Sequence, residues 1–356
     1  MNSHLAAGET EIGLSVVVPC YNEEKVLREL HRRLSAVCRS TMGDDFEIVL
    51  VNDGSKDSTW ALMQMMSSED PHIVAVNLAR NHGHQLALSA GLSVCRGQRI
   101  LIVDADLQDP PELLPEMMAL MDQGADIVYG QREKREGESW LKRTSASAFY
   151  RLLDRMVDVK IPLDTGDFRL ISRRSLNILN GMPERHRFIR GMISWIGLKQ
   201  VPLRYNRQPR FAGETKYPLR KMIALALDAI TSFSIVPLRF ASHLGMILGA
   251  LALVYLVYVF VVWARGDVVE GWTSVTSIVL IIGSIQLFVI GIIGEYLGRM
   301  FMEVKQRPMF IIADIVASNH AAKFVSASSE PSVAVQNKPA NIKTEAGASM
   351  SYPVRG

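Results

Sequence analysis

The chemistry this sequence can offer is concentrated in three polar runs, and the densest is VDADLQDPPE. An apolar stretch, Ile100 to Val103, leads into Asp104 and Asp106, and Gln108 adds a neutral side-chain oxygen two residues further on. Two carboxylates spaced i and i+2 at a strand end resist burial together unless a cation or hydrogen-bond donors compensate them. A hard divalent ion does this well. Mg²⁺ and Mn²⁺ favour oxygen ligands, take one or two carboxylates and complete their shell with diphosphate oxygens and water. Taken alone, a D-x-D triplet is equally well read as a solvated acidic turn. The other two runs are PCYNEE and VNDGSKDST, so acidic and amide side chains recur where apolar runs end. Asp53, followed by Gly54 and Ser55, can turn the backbone tightly and offer a carboxylate to the N–H of a nucleobase, while Asp57 or Ser58 caps the next helix. Capping accounts for Asp57, but it does not explain Asp53 together with Glu23. His82 and His84, in NHGHQLALSAG, hint at zinc; no further His or Cys completes a site nearby, and they are read as structural or polar contacts.

These runs need a scaffold that brings them to one edge. From Leu14 to Gly130 the apolar runs LSVVV, FEIVLV, HIVAVNL, RILIV and ADIVYG alternate with helical stretches, which predicts an α/β domain with a largely parallel central sheet. Ligands of such sheets bind outside the carboxyl ends of the strands, where all three runs fall. Pro110 to Met121 reads as a helix, with a proline start, Glu112 in the first turn, an apolar side and Gly124 as the stop. After Gly130 the rhythm breaks. In WLKRTSASAFYRLLDRMV, Trp140, Phe149, Leu152, Leu153 and Met156 share a broad helix face, with Lys142, Arg143, Arg151 and Arg155 off it. Both an ordinary surface helix and one lying in a membrane interface fit that pattern.

Leu244 to Trp263 and Trp272 to Gly294 are uncharged runs of about 20 residues or more, each long enough to span a bilayer. RGDVVEG joins them, and the basic excess lies outside the pair: Arg220, Lys221 and Arg239 before it, Arg299, Lys305 and Arg307 after it. The positive-inside rule then puts both termini in the cytoplasm. The expected organisation is an N-terminal extension (1–13), a catalytic domain (14–217), an interfacial amphipathic helix (218–238), two spans within 239–298 (about 242–264 and 272–296), a cytoplasmic segment (299–316) and a disordered tail (317–356). The polar N-terminus has no secretory pattern, and the three cysteines, Cys20, Cys38 and Cys95, fit buried thiols in a reducing compartment. A net charge of +3 gives no footprint for nucleic acid.

The ordered set VVVPCYNEE, VNDGSKDST, DADLQDPPE, YGQREKR and FAGETKY resembles glycosyltransferase family 2 with the GT-A fold, a Rossmann-like nucleotide-diphospho-sugar transferase architecture. Within it the sequence is most similar to the polyprenyl-phosphate glycosyltransferases, and especially to bactoprenol glucosyltransferases, through the DTGDFRL segment and the two C-terminal spans. The likeness runs from about Leu14 to Ile312. It implies that Pro19, Tyr21, Glu23 and Asp53 line the nucleotide pocket and that Asp104, Asp106 and Gln108 hold Mg²⁺ or Mn²⁺. It further implies that Arg132, Arg143, Ser147, Arg210 and Lys216 meet the acceptor phosphate, with Arg135 a neighbour, and that Asp167, with Asp164 behind it, and Asp106 are the catalytic carboxylates. Thr215 stands where Ser is frequent in the family, which keeps the hydroxyl.

The reaction so implied is metal-dependent, inverting transfer of a hexose from a nucleotide sugar, with UDP-glucose preferred, to undecaprenyl phosphate at the inner-membrane face. GDP-mannose, UDP-N-acetylglucosamine and UDP-aminoarabinose remain open as donors, and the family likeness implies a homo-oligomer, a tetramer. A processive polysaccharide synthase is disfavoured because no Arg-Trp pair occurs. A dinucleotide oxidoreductase fails because CYNEE, and not a glycine-rich phosphate loop, follows the first strand. A non-catalytic membrane subunit would not need the intact Asp104, Asp106 and Gln108 cluster.

Overall fold

The computed structural model describes residues 12–133, 162, 165–207, 234, 236–265 and 271–317. Arg135, Arg143, Ser147, Asp164, Arg210 and Lys216 lie outside these residues, as do the stretch from Trp140 to Met156, residues 218–233 and the tail beyond Ala317.

All five expected strands form: β1 (Leu14–Cys20), β2 (Phe46–Asn52), β3 (Ile73–Leu78), β4 (Arg99–Ile102) and β5 (Ile127–Arg132). They alternate with α1 (Leu27–Met42), α2 (Thr59–Glu69), α3 (His84–Val94) and α4 (Leu114–Asp122). The helix expected from Pro110 opens as a short 3₁₀ turn, Pro111–Leu113, before α4. Further along come β6 (Thr165–Ser172), α5 (Arg173–Gly181), α6 (Ile189–Ile196) and β7 (Gln200–Tyr205). The chain then forms two long helices, α7 (Val236–Ala264) and α8 (Trp272–Val304), and a last strand, β8 (Ile312–Ala317).

The sheet order is β7-β5-β6-β4-β1-β2-β3-β8. Strands β4, β1, β2 and β3 run parallel, as the alternating pattern predicts, and β7 runs parallel to β5. The sheet is nonetheless mixed, because β6 runs antiparallel between β4 and β5 and β8 runs antiparallel along β3. Helices cover both faces, which is why the central strands read as unbroken apolar runs. Val16, Val18, Ile48 and Leu50 pack in one core with α1, α2 and α4. Val17, Val49 and Val51 pack in the other with α3, α5 and α6.

Most of β8 falls within residues 299–316, the segment expected to be cytoplasmic. Its place in the sheet explains it: β3 would otherwise leave an open edge of unpaired backbone groups. Ile312 pairs with Leu78 at the carboxyl end of β3, so the chain coming from α8 enters the sheet at its carboxyl rim. Both long helices exceed the apolar runs that announce them. Charged residues continue α8 past Gly294, where Arg299 pairs with Glu295 one turn back at 3.2 Å. The helices are long and apolar enough to cross a membrane, and they turn large side chains such as Leu253 and Leu287 outward. Two hydrogen bonds fix α8 near its end, one to the residues before α7 and one to the segment before α6. The Tyr296 hydroxyl donates to the Ser234 carbonyl at 2.6 Å, and the Arg185 backbone N–H donates to Glu303 at 2.8 Å.

Helix α3 starts at the rim and lies unusually close to the sheet at Gly91, where a Cβ would collide with Cγ1 of Val17 and sit 2.8 Å from Cγ2 of Val51. Gly91→Ala must push the helix or the valines apart. A loss of about 1–3 kcal/mol is expected, read as a lowered thermal midpoint of the detergent-solubilised protein; an unchanged midpoint would show that α3 is not seated by this contact.

Candidate active site

Strand β4 ends at Ile102, whose antiparallel partner on β6 is Arg169. Asp104 follows β4 by two residues and Asp167 precedes Arg169 by two, which brings the two carboxylates into one group. The first residue of α3 completes the group: Nε2 of His84 lies 3.0 Å from Oδ2 of Asp167 and 3.5 Å from Oδ1 of Asp104. One ligand atom from each of His84, Asp104 and Asp167 lies within 4.8 Å of the others.

Asp167 is buried, and donors surround it. Arg190, at the start of α6, donates Nε to Oδ1 at 2.7 Å and Nη2 to Oδ2 at 3.2 Å. Gln85 donates Nε2 to Oδ2 at 3.1 Å and accepts the Ile189 backbone N–H on its own oxygen at 2.9 Å. Burial would raise the carboxyl's pKa, but the Arg190 charge and the hydrogen bonds from His84 and Arg190 outweigh it and hold it well below the ordinary value. The converse applies to His84. Burial works against its charged form, yet the bond to Asp167 and the charges of Asp104 and Asp167 raise it to about 9.

Asp104 is less well served. Burial, opposed by His84 and reinforced by Asp167, Asp109 and Asp106, pushes its carboxyl up to about 6, and its buried Oδ1 has no hydrogen-bond partner. A carboxylate buried for structural reasons looks different here. Glu47 accepts from the Ser15 hydroxyl at 2.7 Å and from the Arg96 backbone N–H, Nε and Nη2 at 2.6, 2.9 and 2.6 Å. The orphaned oxygen of Asp104 with the second carboxylate beside it suits a divalent cation, and His84 could join as a ligand only by giving up its proton.

Each member of the metal set expected from the sequence, Asp104, Asp106 and Gln108, makes contacts of its own. Asp104 meets His84 and Asp167. Asp106 accepts the Gln108 backbone N–H on Oδ1 at 3.2 Å, and its Oδ2 lies 3.9 Å from Nη2 of Arg207. Between them the buried Leu107 takes a left-handed φ of 57°, a conformation disfavoured by about 1–2 kcal/mol for a residue with a Cβ. It folds the turn back so that Asp109 also reaches the rim.

Of the expected nucleotide residues, Pro19 is buried in β1, and Tyr21 and Glu23 are half-buried just past it. Their loop is knitted to the one after β2: the Asn22 side chain accepts the Lys56 N–H at 2.8 Å, and the Glu23 N–H donates to Thr59 Oγ1 at 2.9 Å. Asp57 accepts the Thr59 N–H at 3.1 Å in a turn just ahead of α2, and Ser58, the N-cap residue, makes no side-chain capping bond, so neither residue caps the helix through its side chain. Asp53 is buried and accepts the His82 and Gly83 backbone N–H groups at 2.7 and 3.0 Å, so its carboxylate shapes the loop that leads into α3.

Arg132, at the end of β5, is the expected acceptor residue that the described structure contains. Its Nη2 lies 3.6 Å from Asp109, its Nε 3.5 Å from the Tyr205 hydroxyl. Sequence reading missed His84, Gln85, Arg190, Asp109, Tyr205 and Arg207 as members of the site. His84 and Asp109 carried a signal, since one follows β3 at the rim and the other ends the acidic run. Arg190 carried none, because nothing near it in sequence is polar at a strand end.

Residues 15–179 match the model of Glycosyl transferase family 2, and residues 236–300 that of the GtrB C-terminal hairpin. The chain is 43% identical over 302 residues to the uncharacterized glycosyltransferase YkcC of Bacillus subtilis (strain 168), covering 85% of this chain and 93% of that one. It is 38% identical over 300 residues to the prophage bactoprenol glucosyl transferase homolog of Escherichia coli (strain K12), covering 84% of this chain and 98% of that one. Among solved structures, S. aureus TarS 1-349 in complex with UDP-GlcNAc aligns with a TM-score of 0.42 at 18% identity, over 62% of this chain and 66% of that chain.

The His84 shift has a definite sign. A histidine whose folded-state pKa is raised adds stability that is complete below its unfolded value, about 6.5, and that fades as pH rises through about 9. In the presence of a chelator, the stability advantage of the wild type over His84→Gln is expected to be full at pH 6 and to vanish near pH 10 in thermal melts. An advantage independent of pH would contradict the charged His84 between the two carboxylates.

Proposed function

Because the chain belongs to glycosyl transferase family 2 and carries a GtrB C-terminal hairpin, we propose that it transfers glucose from UDP-glucose to undecaprenyl phosphate at the cytoplasmic face of the inner membrane. The observation that carries this reading is the placement of the carboxylate cluster on the rim where the apolar hairpin joins the sheet. Asp104 and Asp167 stand at that rim, and β8 enters there directly after α8. A polyprenyl tail cannot leave the bilayer cheaply, so a site that uses its phosphate must sit at the interface. The name of the E. coli relative, a bactoprenol glucosyl transferase homolog, supports the same acceptor and sugar.

In the proposed reaction an oxygen of the lipid phosphate attacks the anomeric carbon from the face opposite the leaving group. The bond from that carbon to the donor's diphosphate oxygen breaks, its electron pair departs with the nucleoside diphosphate, and the anomeric centre inverts. A phosphate monoester has its second pKa near about 6, so the attacking oxygen is already largely ionised and no side chain has to remove a proton. The crowded oxygens of Asp167, held by His84, Gln85 and Arg190, support a part in orienting substrates over one as a base. Asp104, with His84 and Asp167 or with Asp106 and Gln108, would hold Mg²⁺ or Mn²⁺, which supplies positive charge against the negative charge gathering on the diphosphate. Pro19, Tyr21, Glu23 and Asp53 would border the nucleotide, Arg132 with Arg143, Ser147, Arg210 and Lys216 the lipid phosphate, in a homotetramer.

Membranes containing the protein, incubated with labelled nucleotide sugars and undecaprenyl phosphate, are expected to transfer label from UDP-glucose into lipid, to stop on addition of EDTA and to resume with Mg²⁺ or Mn²⁺. Transfer from another donor alone would replace glucose in this reading, and no transfer from any donor would end it. Asp167→Asn is expected to slow turnover at saturating substrates; an undiminished rate would remove Asp167 from the mechanism.

A further inference from the structure

A second charged cluster sits beside the first, and the proposed reaction leaves part of it without a role. Asp109 ends the acidic run, and its side chain is fully buried. Oδ1 accepts from the Tyr205 hydroxyl and lies 3.3 Å from Nε of Arg207. Oδ2 faces Nη2 of Arg132 at 3.6 Å and has no hydrogen-bond partner. One fully buried carboxylate thus faces two guanidinium groups, with Asp106 the second carboxylate near Arg207. The burial is unequal in a telling way. Asp109 is shut off from solvent, whereas the Arg132 and Arg207 side chains remain 23% and 29% exposed.

The backbone around the cluster is cut to fit it. A Cβ at Gly166 would lie 2.7 Å from Nη2 of Arg132, and one at Gly130 would lie 2.8 Å from the Tyr205 ring. Tyr205 also packs edge-on against Phe168, with centroids 5.8 Å apart, which holds its hydroxyl on Asp109. Arg207 follows β7 by two residues and reaches as far as Asp106, at 3.9 Å. The ends of β5, β6 and β7 and the acidic turn therefore converge on two partly exposed guanidinium groups with a dry anchor behind them.

We propose that Arg207 joins Arg132 in binding a phosphate oxyanion, and that Asp109 and Tyr205 are positioning residues that aim the pair. Guanidinium groups give forked donors matched to phosphate oxygens, and fixing them beforehand spares the ordering entropy that a free arginine loses on binding. A carboxylate whose second oxygen lacks a full hydrogen bond is a poor structural plug but an effective tether, since it holds both arginines without saturating them. The oxyanion is either the diphosphate of the nucleotide or the monophosphate of the lipid. The role of Arg207 deepens the transfer reading and rests on it for the identity of the substrates.

The test uses the full-length protein in detergent and measures binding, so that it does not depend on transfer being observed. Affinity for inorganic pyrophosphate and for undecaprenyl phosphate is compared among the wild type, Arg207→Gln, Arg207→Lys and Tyr205→Phe, together with each melting temperature. Arg207→Gln is expected to weaken one of the two ligands at least tenfold at an unchanged melting temperature, Arg207→Lys to recover part of the loss, and Tyr205→Phe to weaken the same ligand severalfold. The ligand affected names the source of the phosphate. Unaltered affinity for both, or a loss that follows a lowered melting temperature and is not relieved by lysine, would reduce the cluster to a structural ion pair and overturn the proposal. A failure of sugar transfer in the membrane assay would count against the reaction and leave this measurement intact.

Discussion

The structure is organised around the problem of keeping several carboxylates close together on one largely dry rim. Two like charges about 4 Å apart repel by about 4 kcal/mol at the effective dielectric of a protein surface, and Asp53, Asp104, Asp109 and Asp167 all lie at the carboxyl rim of the sheet. Each is compensated by a different device. Asp53 takes backbone N–H groups from the loop before α3, Asp167 takes Arg190, Gln85 and His84, and Asp109 takes Tyr205 between two arginines. Asp104 is left incomplete, with a buried oxygen that nothing in the described chain satisfies.

The way the charges are balanced accounts for features of the fold that packing alone does not require. Strand β6 runs against its neighbour β4, which brings Asp167 up to the rim from the opposite direction and sets it beside Asp104. The first turns of α3 and α6 both end on Asp167, and Gln85 ties the two together by accepting the Ile189 N–H. Four residues before Ile189, Arg185 holds Glu303 near the end of α8. A single short segment thus touches both the carboxylate cluster and the membrane hairpin. Together with β8, which closes the β3 edge immediately after α8, it sets the height of the site against the helices.

Much of this was legible in the sequence, for reasons that are local. The strands announced themselves because both sheet faces are covered and every residue of β1 and β2 is buried. The two long helices were visible as uncharged runs, and their extra turns were not, because charged residues carry the helix on without the apolar signal. Strand β8 escaped because a strand that merely covers an edge needs no strong pattern of its own; five of the six residues of β8 are apolar, yet its partner β3 lies far away in the chain.

The site divides along the same line. By itself the sequence determined the family, the succession of strands up to β5, the acidic turn that holds Asp104 and Asp106, and the presence of a membrane hairpin, since each is written in neighbouring residues through apolar period, run length or motif. Only the tertiary structure decided that Asp104 would meet His84 and Asp167, that Asp106 would turn toward Arg207, and that Asp109 would anchor two arginines. Those partners are separated by tens of residues, and charge compensation acts through space: a carboxylate needs donors within about 3 Å, and no local pattern records which distant side chain will supply them.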